Sequence, residues 1–475
     1  MKGIKPGSFL HNLSFVFGAQ MLVLIISILR AFILPKFLPV EGFGYWEIYW
    51  FYTSYVGIFC LGYNDGIYLK YGECNFEQLP MEQIRSGNRL FTVFLSVITV
   101  VSIIFIFRTV QDEQTAFSLY FAAFNIFTLG LTSLFIYVFQ ITAQFKKYSF
   151  YSVLDKIAVL VTILLLVIVN EKNFRFVVIA DCLFKLVVLV LMVIKMPEML
   201  FGSFAGYKSA FLFLIENMMV GIKLMVANLM SMLLIGAGKF IVQYFGDIND
   251  FAMYSFGVSI TGLVLTAVTA IGLVLYPTIK RIPEASHAQI FHKVNVSTRV
   301  LGLASLLIYF PMYLFVEWFY PQYVSVLPYL YVLFLIVYFQ CKIGLLNNTF
   351  YKVLRLETRM LIANLSCVLF FVIVALLLFP HFPQMKTIAF CTMIAMLLRC
   401  YTSEISLSKS IGIKIDKHIV LELFLISLFL ISCEFLSIWK AAIVFTLAIV
   451  VWLLFDIQEN KVVFELLMNN KKSNL

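Results

Sequence analysis

The chain has 475 residues, of which 62% are hydrophobic and only 13% charged, with 50 Phe, a mean hydropathy of +0.97 and a formal charge of +10. A soluble domain needs about a quarter of its residues charged, so the composition excludes a soluble globular protein and leaves no room for a large soluble domain. Apolar runs of roughly 20 residues, the length that crosses a hydrocarbon core of about 30 Å, recur from end to end.

In chain order the runs predict about fourteen membrane helices, in an all-α polytopic architecture. Their cores lie at 10–34, 43–63, 90–107, 116–139, 148–169, 176–194, 218–240, 251–276, 300–319, 324–346, 360–379, 388–401, 419–435 and 441–455. The opening MKGIKPGSFLHNLSF places lysines before an apolar run as a signal peptide does. That run continues with no small-residue cleavage site, so it is expected to remain as the first span.

Orientation follows from the basic residues between spans. With the N-terminus inside, roughly twenty-two Lys and Arg fall on the inner face, among them Lys2, Lys5, Arg281, Arg299, Lys461, Lys471 and Lys472, against about six outside (Lys36, Arg108, Lys172, Arg175, Lys386 and Lys440). Both termini are therefore expected in the cytoplasm. The positive charge is a topological signal, and nucleic acid is not expected as a partner. Outer connections are short, FGDIND (245–250) being among the longest, which excludes a catalytic outer loop. The longest inner connection is expected at 64–88.

No cofactor or metal site is legible. IGAGKF (235–240) resembles the end of a phosphate loop but has Phe240 where Ser or Thr is required, and it ends an apolar helix. Five scattered His and eight Cys form no ligand pattern. Cys60, Cys182, Cys341, Cys367, Cys391, Cys400 and Cys433 sit in or beside apolar runs and are expected to pack, with only Cys74 in water.

What remains is charge inside spans: Arg30, Lys156, Asp181, Lys185, Glu216, Lys223, Lys239, Lys342, Arg399 and Glu404. Each costs on the order of 3 kcal/mol at a helix centre unless it faces a partner or a wet cavity. Lys342 and Glu404, near inner ends, are expected to snorkel. Asp181 and Lys185, four apart, share a helix face and neutralise each other or serve a ligand. Lys223 and Arg399 have no local partner, and the excess of cations points to an anionic cargo. Placing Arg30 on Lys239 aligns RAFILPKFLPVEGFGYW with KFIVQYFGDINDFAMYS, and Tyr45 then falls on Tyr254. A cation at one depth in spans one and seven is what a duplicated six-helix unit gives, and carriers commonly bind substrate between such repeats.

The phrases LPKFLPVEGFGYWEIY (34–49), LGYNDGIYLKYGE (61–73), QITAQFKKYS (140–149) and FYKVLRLE (350–357) resemble the polysaccharide biosynthesis flippases. These are the Wzx-type O-antigen transporters of the multidrug/oligosaccharidyl-lipid/polysaccharide exporter superfamily. The resemblance implies two pseudo-symmetric six-helix bundles around a central cavity, at 1–205 and 206–405, with two further helices and a cytoplasmic tail at 406–475. It implies a bacterial inner-membrane flippase that turns an undecaprenyl-pyrophosphate-linked oligosaccharide to the outer leaflet, with a polymerase and chain-length regulator as partners besides membrane lipid. Cationic cavity residues would hold the pyrophosphate, a role that falls to Arg30, Lys185, Lys223, Lys239 and Arg399. Asp65 and Asp181 are the candidate carboxylates for a coupling H+ or Na+. Asn125, Gln140, Asn228 and Gln340 are candidates for sugar hydroxyls. A multidrug/cation antiporter of the same superfamily would instead favour acidic cavity residues, and a membrane glycosyl- or acyltransferase would need a clustered acid/base constellation.

The topology is checked with fusion reporters. Those after Asp247 and Gln322 should report outside, and those after Lys147, Arg281 and Lys471 inside. An outside signal at Lys471 would overturn the fourteen-span count.

Overall fold

The computed structural model describes residues 6–72, 74, 76–280, 283, 286–414 and 416–455. Where no water reaches the backbone, each N–H and C=O must be satisfied within its own segment, and the chain answers with helices throughout. In order they are α1 (Pro6–Phe37), α2 (Val40–Tyr55), α3 (Tyr63–Tyr71), α4 (Met81–Thr109), α5 (Glu113–Ile141), α6 (Phe145–Val169), α7 (Phe174–Lys195), α8 (Tyr207–Phe245) and α9 (Ile248–Lys280). There follow α10 (His287–Ser305), α11 (Tyr309–Phe319), α12 (Leu327–Lys342), α13 (Thr349–Val353), α14 (Glu357–Leu378), α15 (Met385–Ile411), α16 (His418–Phe435) and α17 (Ile438–Phe455). No strand occurs among the described residues.

Twelve helical stretches among the described residues are long and apolar enough to cross a membrane, which makes this a multi-pass membrane protein. The other two expected spans are helical as well. One is α9, 33 residues long. The other is divided: α2 gives way to a 3-10 turn, Val56–Cys60, and Leu61 (φ 47°) and Gly62 (φ 80°) then adopt left-handed backbone before α3 begins. Short polar caps set other ends. Asp112 accepts the Thr115 N–H at the start of α5, and Asn173 accepts the Arg175 N–H at the start of α7. The cytoplasmic assignment of the termini draws on Lys2, Lys5, Arg281, Lys461, Lys471 and Lys472, which lie outside the described residues.

The chain divides into two compact units, Met1–Leu229 and Met230–Leu475, with the division inside α8. In unit 1, α5 is the central helix. It packs on α2, α4 and α7, and 56% of its apolar stretch is buried against 17% for α4 and α6. Small residues on its buried face, including Ser118, Ala122, Ala123 and Gly130, admit the neighbours closely. The first part of α8 joins this unit through backbone-to-backbone packing. A methyl group on Gly66 would overlap the Asn217 carbonyl, and one on Gly221 would overlap the Gly62 carbonyl. In unit 2 the tenth pass, Pro321–Val353, is the centre, with 83% of its apolar stretch buried. It contains α12 and a π-helical turn, Ile343–Asn348, and packs on α9, α10, α15 and α16.

Several local expectations are corrected. The stretch 64–88 is mostly helix, α3 followed by α4, because the Leu61–Gly62 turn restarts the helix at once. Arg299 is no loop anchor; it is 1% exposed within α10. Cys74 is half-buried rather than solvated, Cys433 is half-buried as well, and the other six cysteines are buried thiols. IGAGKF lies within α8, where Gly238 leaves room for the Tyr254 hydroxyl, so the phosphate-loop likeness has no structural counterpart.

Gly66→Ala and Gly221→Ala should each destabilise unit 1 by about 1–3 kcal/mol through overpacking. Gly262→Ala, with open space around its α-carbon, should not. Thermal unfolding of the detergent-solubilised protein checks this, and equal melting of all three variants would refute the close crossing.

Candidate functional site

Within unit 1 a cavity of about 370 Å3 opens between α1, α2, α5, α6 and α7. Arg30, Trp50, Asp155, Lys156, Asp181 and Lys185 carry its chemistry, on an otherwise apolar and hydroxyl lining. The sequence brings them together simply. Arg30 sits on α1, Trp50 lies in the aromatic run GYWEIYWFY (44–52) of α2, and the acid–base pairs at 155–156 and 181–185 each sit on one helix.

The wall at α7 is tightly bonded. Lys185 Nζ is paired with Asp181, and the Tyr49 hydroxyl donates to the same carboxylate. Asn125 Nδ2 donates to the Tyr49 oxygen at 2.9 Å and to Thr53 at 3.2 Å, and its own carbonyl accepts the Thr128 hydroxyl at 2.9 Å. Asp181 and Lys185 are 3% and 6% exposed. Their pairing is the neutralisation that the four-residue spacing suggested, locked by a tyrosine from α2 and an asparagine from α5. Asn125, a candidate for sugar contact, is fully consumed here.

Across the cavity Lys156 pairs with Asp155 at 3.2 Å. Arg30 differs. Its guanidinium lies 3.6 Å from the centroid of the Trp50 ring, with no carboxylate at ion-pair distance among the described residues. The Lys185 ammonium lies 5.4 Å from the same ring. A cation over an indole gains about 0.5–2 kcal/mol, and the stack leaves the guanidinium's fork of donors unspent. The cavity thus holds three cations and two carboxylates, and both carboxylates are engaged.

The other predicted residues fall elsewhere. Asp65, on α3, is 8% exposed, with the Tyr137 hydroxyl 3.5 Å away. Lys223 is exposed on α8, as is Asn228. Glu216 is exposed too and pairs with Lys70 at 2.7 Å. Lys239 is buried on α8 beyond the unit boundary, at 7% exposure. Arg399, in unit 2, is 2% exposed and donates to Asn364 and Asn348 at 2.8 Å and to Ser403 at 3.2 Å. Its partners are neutral: Ser403 one turn on along α15, and two asparagines from other passes, which local sequence could not reveal.

The snorkelling expected of Lys342 and Glu404 is overturned. Both are buried, 2.9 Å apart, and Lys342 also pairs with Glu422 at 2.8 Å. Glu422 was missed because it sits early in the thirteenth span, where a carboxylate passes for an interfacial residue. Nearby, outside the spans, burial pushes the Asp416 carboxyl up. The His418 backbone N–H and the Arg299 charge outweigh this and hold it below the usual carboxylate range.

The unit 1 cavity is basic and aromatic-backed, inside an all-helical membrane bundle. No protein-family model matches the chain, and no curated protein sequence does. Among solved structures it is similar to the lipid II flippase MurJ in an inward closed conformation, with a TM-score of 0.58 and 11% identity, covering 94% of this chain and 99% of that one. It is also similar to a multidrug resistance MATE family transporter of the MOP superfamily in an inward-facing conformation, with a TM-score of 0.56 and 13% identity over 83% of this chain and 98% of that one. A mutant of the Vibrio cholerae MATE transporter VcmN gives a TM-score of 0.50 and 11% identity over 85% and 96%. The chain has the fold that these transporters share.

Removing one partner of the α7 pair should expose the cost of a lone buried charge, about 3–5 kcal/mol. Lys185→Met should therefore melt well below the parent protein, whereas Asp181→Lys with Lys185→Asp should recover much of the loss because face and net charge are kept. If the exchange is as unstable as the single variant, Tyr49 and Asn125 fix the polarity of the pair.

Proposed function

We propose that the chain is a flippase for an undecaprenyl-pyrophosphate-linked oligosaccharide, an O-antigen or related repeat unit. It would turn the cargo from the cytoplasmic to the outer leaflet of a bacterial inner membrane by alternating access, with both chain termini in the cytoplasm. It is a transporter rather than an enzyme in this reading, with the two halves at 1–205 and 206–405 as its repeats and 406–475 as an addition. The observation that carries it is the Arg30 guanidinium, held on Trp50 in the unit 1 cavity with no carboxylate at ion-pair distance among the described residues. A diphosphate supplies the two planar oxygen pairs that such a fork grips bidentately.

The fold supports the reading, because it is shared with a structure described as a lipid II flippase. It is equally shared with multidrug transporters, so the site must choose between them. A cationic drug would need an unneutralised carboxylate, and in this cavity Asp155 and Asp181 are both paired. Lys239 and Arg399 would serve the same anion at other stages of its passage. Lys185 and Lys223 are secondary: the first is tied to Asp181, the second exposed.

Arg30→Ala should lower export about ten- to a hundredfold, the worth of a charged hydrogen bond of about 1.5–3 kcal/mol. Arg30→Lys should keep part of it, because an ammonium acts as a point charge. Lys239→Ala should resemble Arg30→Ala, and Lys239→Arg should be tolerated. The measurement is surface polysaccharide in a deletion strain, normalised to the amount of each variant in the membrane, with the leaflet of the accumulated lipid-linked unit scored alongside. Near-normal export by both alanine variants would refute the cavity role.

A further inference from the structure

Unit 2 holds a second set of buried charges that the cargo reading leaves unused. At the end of α12 the Lys342 ammonium sits between two carboxylates. It is 2.9 Å from Glu404 Oε2 on α15 and 2.8 Å from each oxygen of Glu422 on α16, and none of the three side chains is more than 1% exposed. The Tyr338 hydroxyl, one turn earlier on α12, also donates to Glu422. The Tyr401 ring of α15 lies 4.9 Å from the ammonium. One cation therefore faces two anions. With both carboxylates ionised, the triad would bury an uncompensated negative charge inside a membrane bundle, a state that desolvation penalises heavily.

Among the described residues, the surrounding groups do not remove this surplus. From α10, Arg299 is engaged by Asp416 at 2.8 Å. His418, at the start of α16, is bound to the same aspartate. Arg399, on Glu404's own helix, donates to Asn348, Asn364 and Ser403. Cys400 and Tyr401, the other titratable groups beside Glu404 on α15, bring no positive charge.

The two carboxylates are also unequal. Glu422 accepts both Lys342 and Tyr338. Glu404 accepts the Asn295 amide at Oε1, 2.7 Å away, while its buried Oε2 accepts no hydrogen bond and touches Lys342 only as an ion pair. The buried Asn295 Oδ1 is likewise unbonded. Asn295 Nδ2 also reaches Asp416 at 3.4 Å, and Asn295 and Asp416 line a cavity of about 260 Å3 together with His292, Ser408 and Lys414. Polar groups thus run without a break from that cavity to Glu404.

We propose that Glu404 is a proton-binding site loaded from this cavity. A hydronium ion entering that cavity gives its proton to the Glu404 carboxylate: one O–H bond of the hydronium breaks and leaves water, one O–H bond forms on the carboxylate, and a single Lys342–Glu422 ion pair remains. Resting on the carrier reading above, this makes the proton the coupling ion and assigns its site to unit 2 rather than to Asp65 or Asp181.

Infrared difference spectroscopy of the purified full chain in lipid nanodiscs, titrated with acid and base, tests the site without any transport assay. The carbonyl stretch of a buried neutral carboxyl should be present in the parent protein. It should be lost in Glu404→Gln, and lost also in Glu422→Gln, where one carboxylate and Lys342 already balance. It should grow in Lys342→Met, where two carboxylates lose their cation, and persist in Asp181→Asn and Arg30→Ala. Identical spectra for the parent, Glu404→Gln and Glu422→Gln would overturn the proposal and leave the triad a structural clasp. Export in the deletion strain then separates the two readings. If both hold, Glu404→Gln loses the sensitivity of export to a protonophore, while Arg30→Ala loses export and keeps the band. If the band behaves as expected but the parent chain restores no export, the flippase reading fails and the proton site stands.

Discussion

Charge in hydrocarbon has few stable forms: paired, spread over a ring, or shared among neutral donors and acceptors. This chain uses all three, and the arrangement of its interior follows from that constraint. Asp181 and Lys185 are paired within one helix and fixed by Tyr49 from another. Arg30 is laid on Trp50. Arg399 is held by two asparagines and a serine. Each solution ties helices together, so the charges that composition makes rare are also the groups that fix helix order.

The two units put this to different uses. In unit 1 the paired residues line a cavity in which one guanidinium lies on an indole, with no carboxylate at ion-pair distance among the described residues. In unit 2 the charges close on themselves across α12, α15 and α16, beside a π-helical turn. Such turns often mark functional positions. The thirteenth pass, α16, is thereby joined to the core of unit 2 through Glu422.

Much of the fold was legible because run length and hydropathy are local properties. Every expected span core falls on a helix, and the break in the second span follows from Leu61 and Gly62. The pairing of Asp181 with Lys185 was legible too, since four residues on a helix bring side chains to one face. The partners of Arg30 and Lys342 and the two asparagines that hold Arg399 were not legible. They come from other passes at sequence distances that no periodicity encodes, and a lysine near a helix end looks the same whether it reaches water or a buried glutamate. Trp50 was hidden for a related reason: in a chain with 17% aromatic residues a single indole carries no signal until a cation is seen upon it.

The close crossing of α3 and α8 bears on how the molecule is made. The groove at Gly62 and Gly66 is filled by Asn217 and Gly221, which a ribosome adds more than a hundred residues later. The first six passes therefore leave the translocon with a backbone-lined groove still open to lipid, and unit 1 is complete only when the opening turns of the seventh have docked. A chain cut at the nominal repeat boundary near residue 205 would keep that groove empty, whereas one cut near residue 229 would carry its own closing helix. The compact unit, Met1–Leu229, is thus longer than the six-helix repeat expected from the sequence.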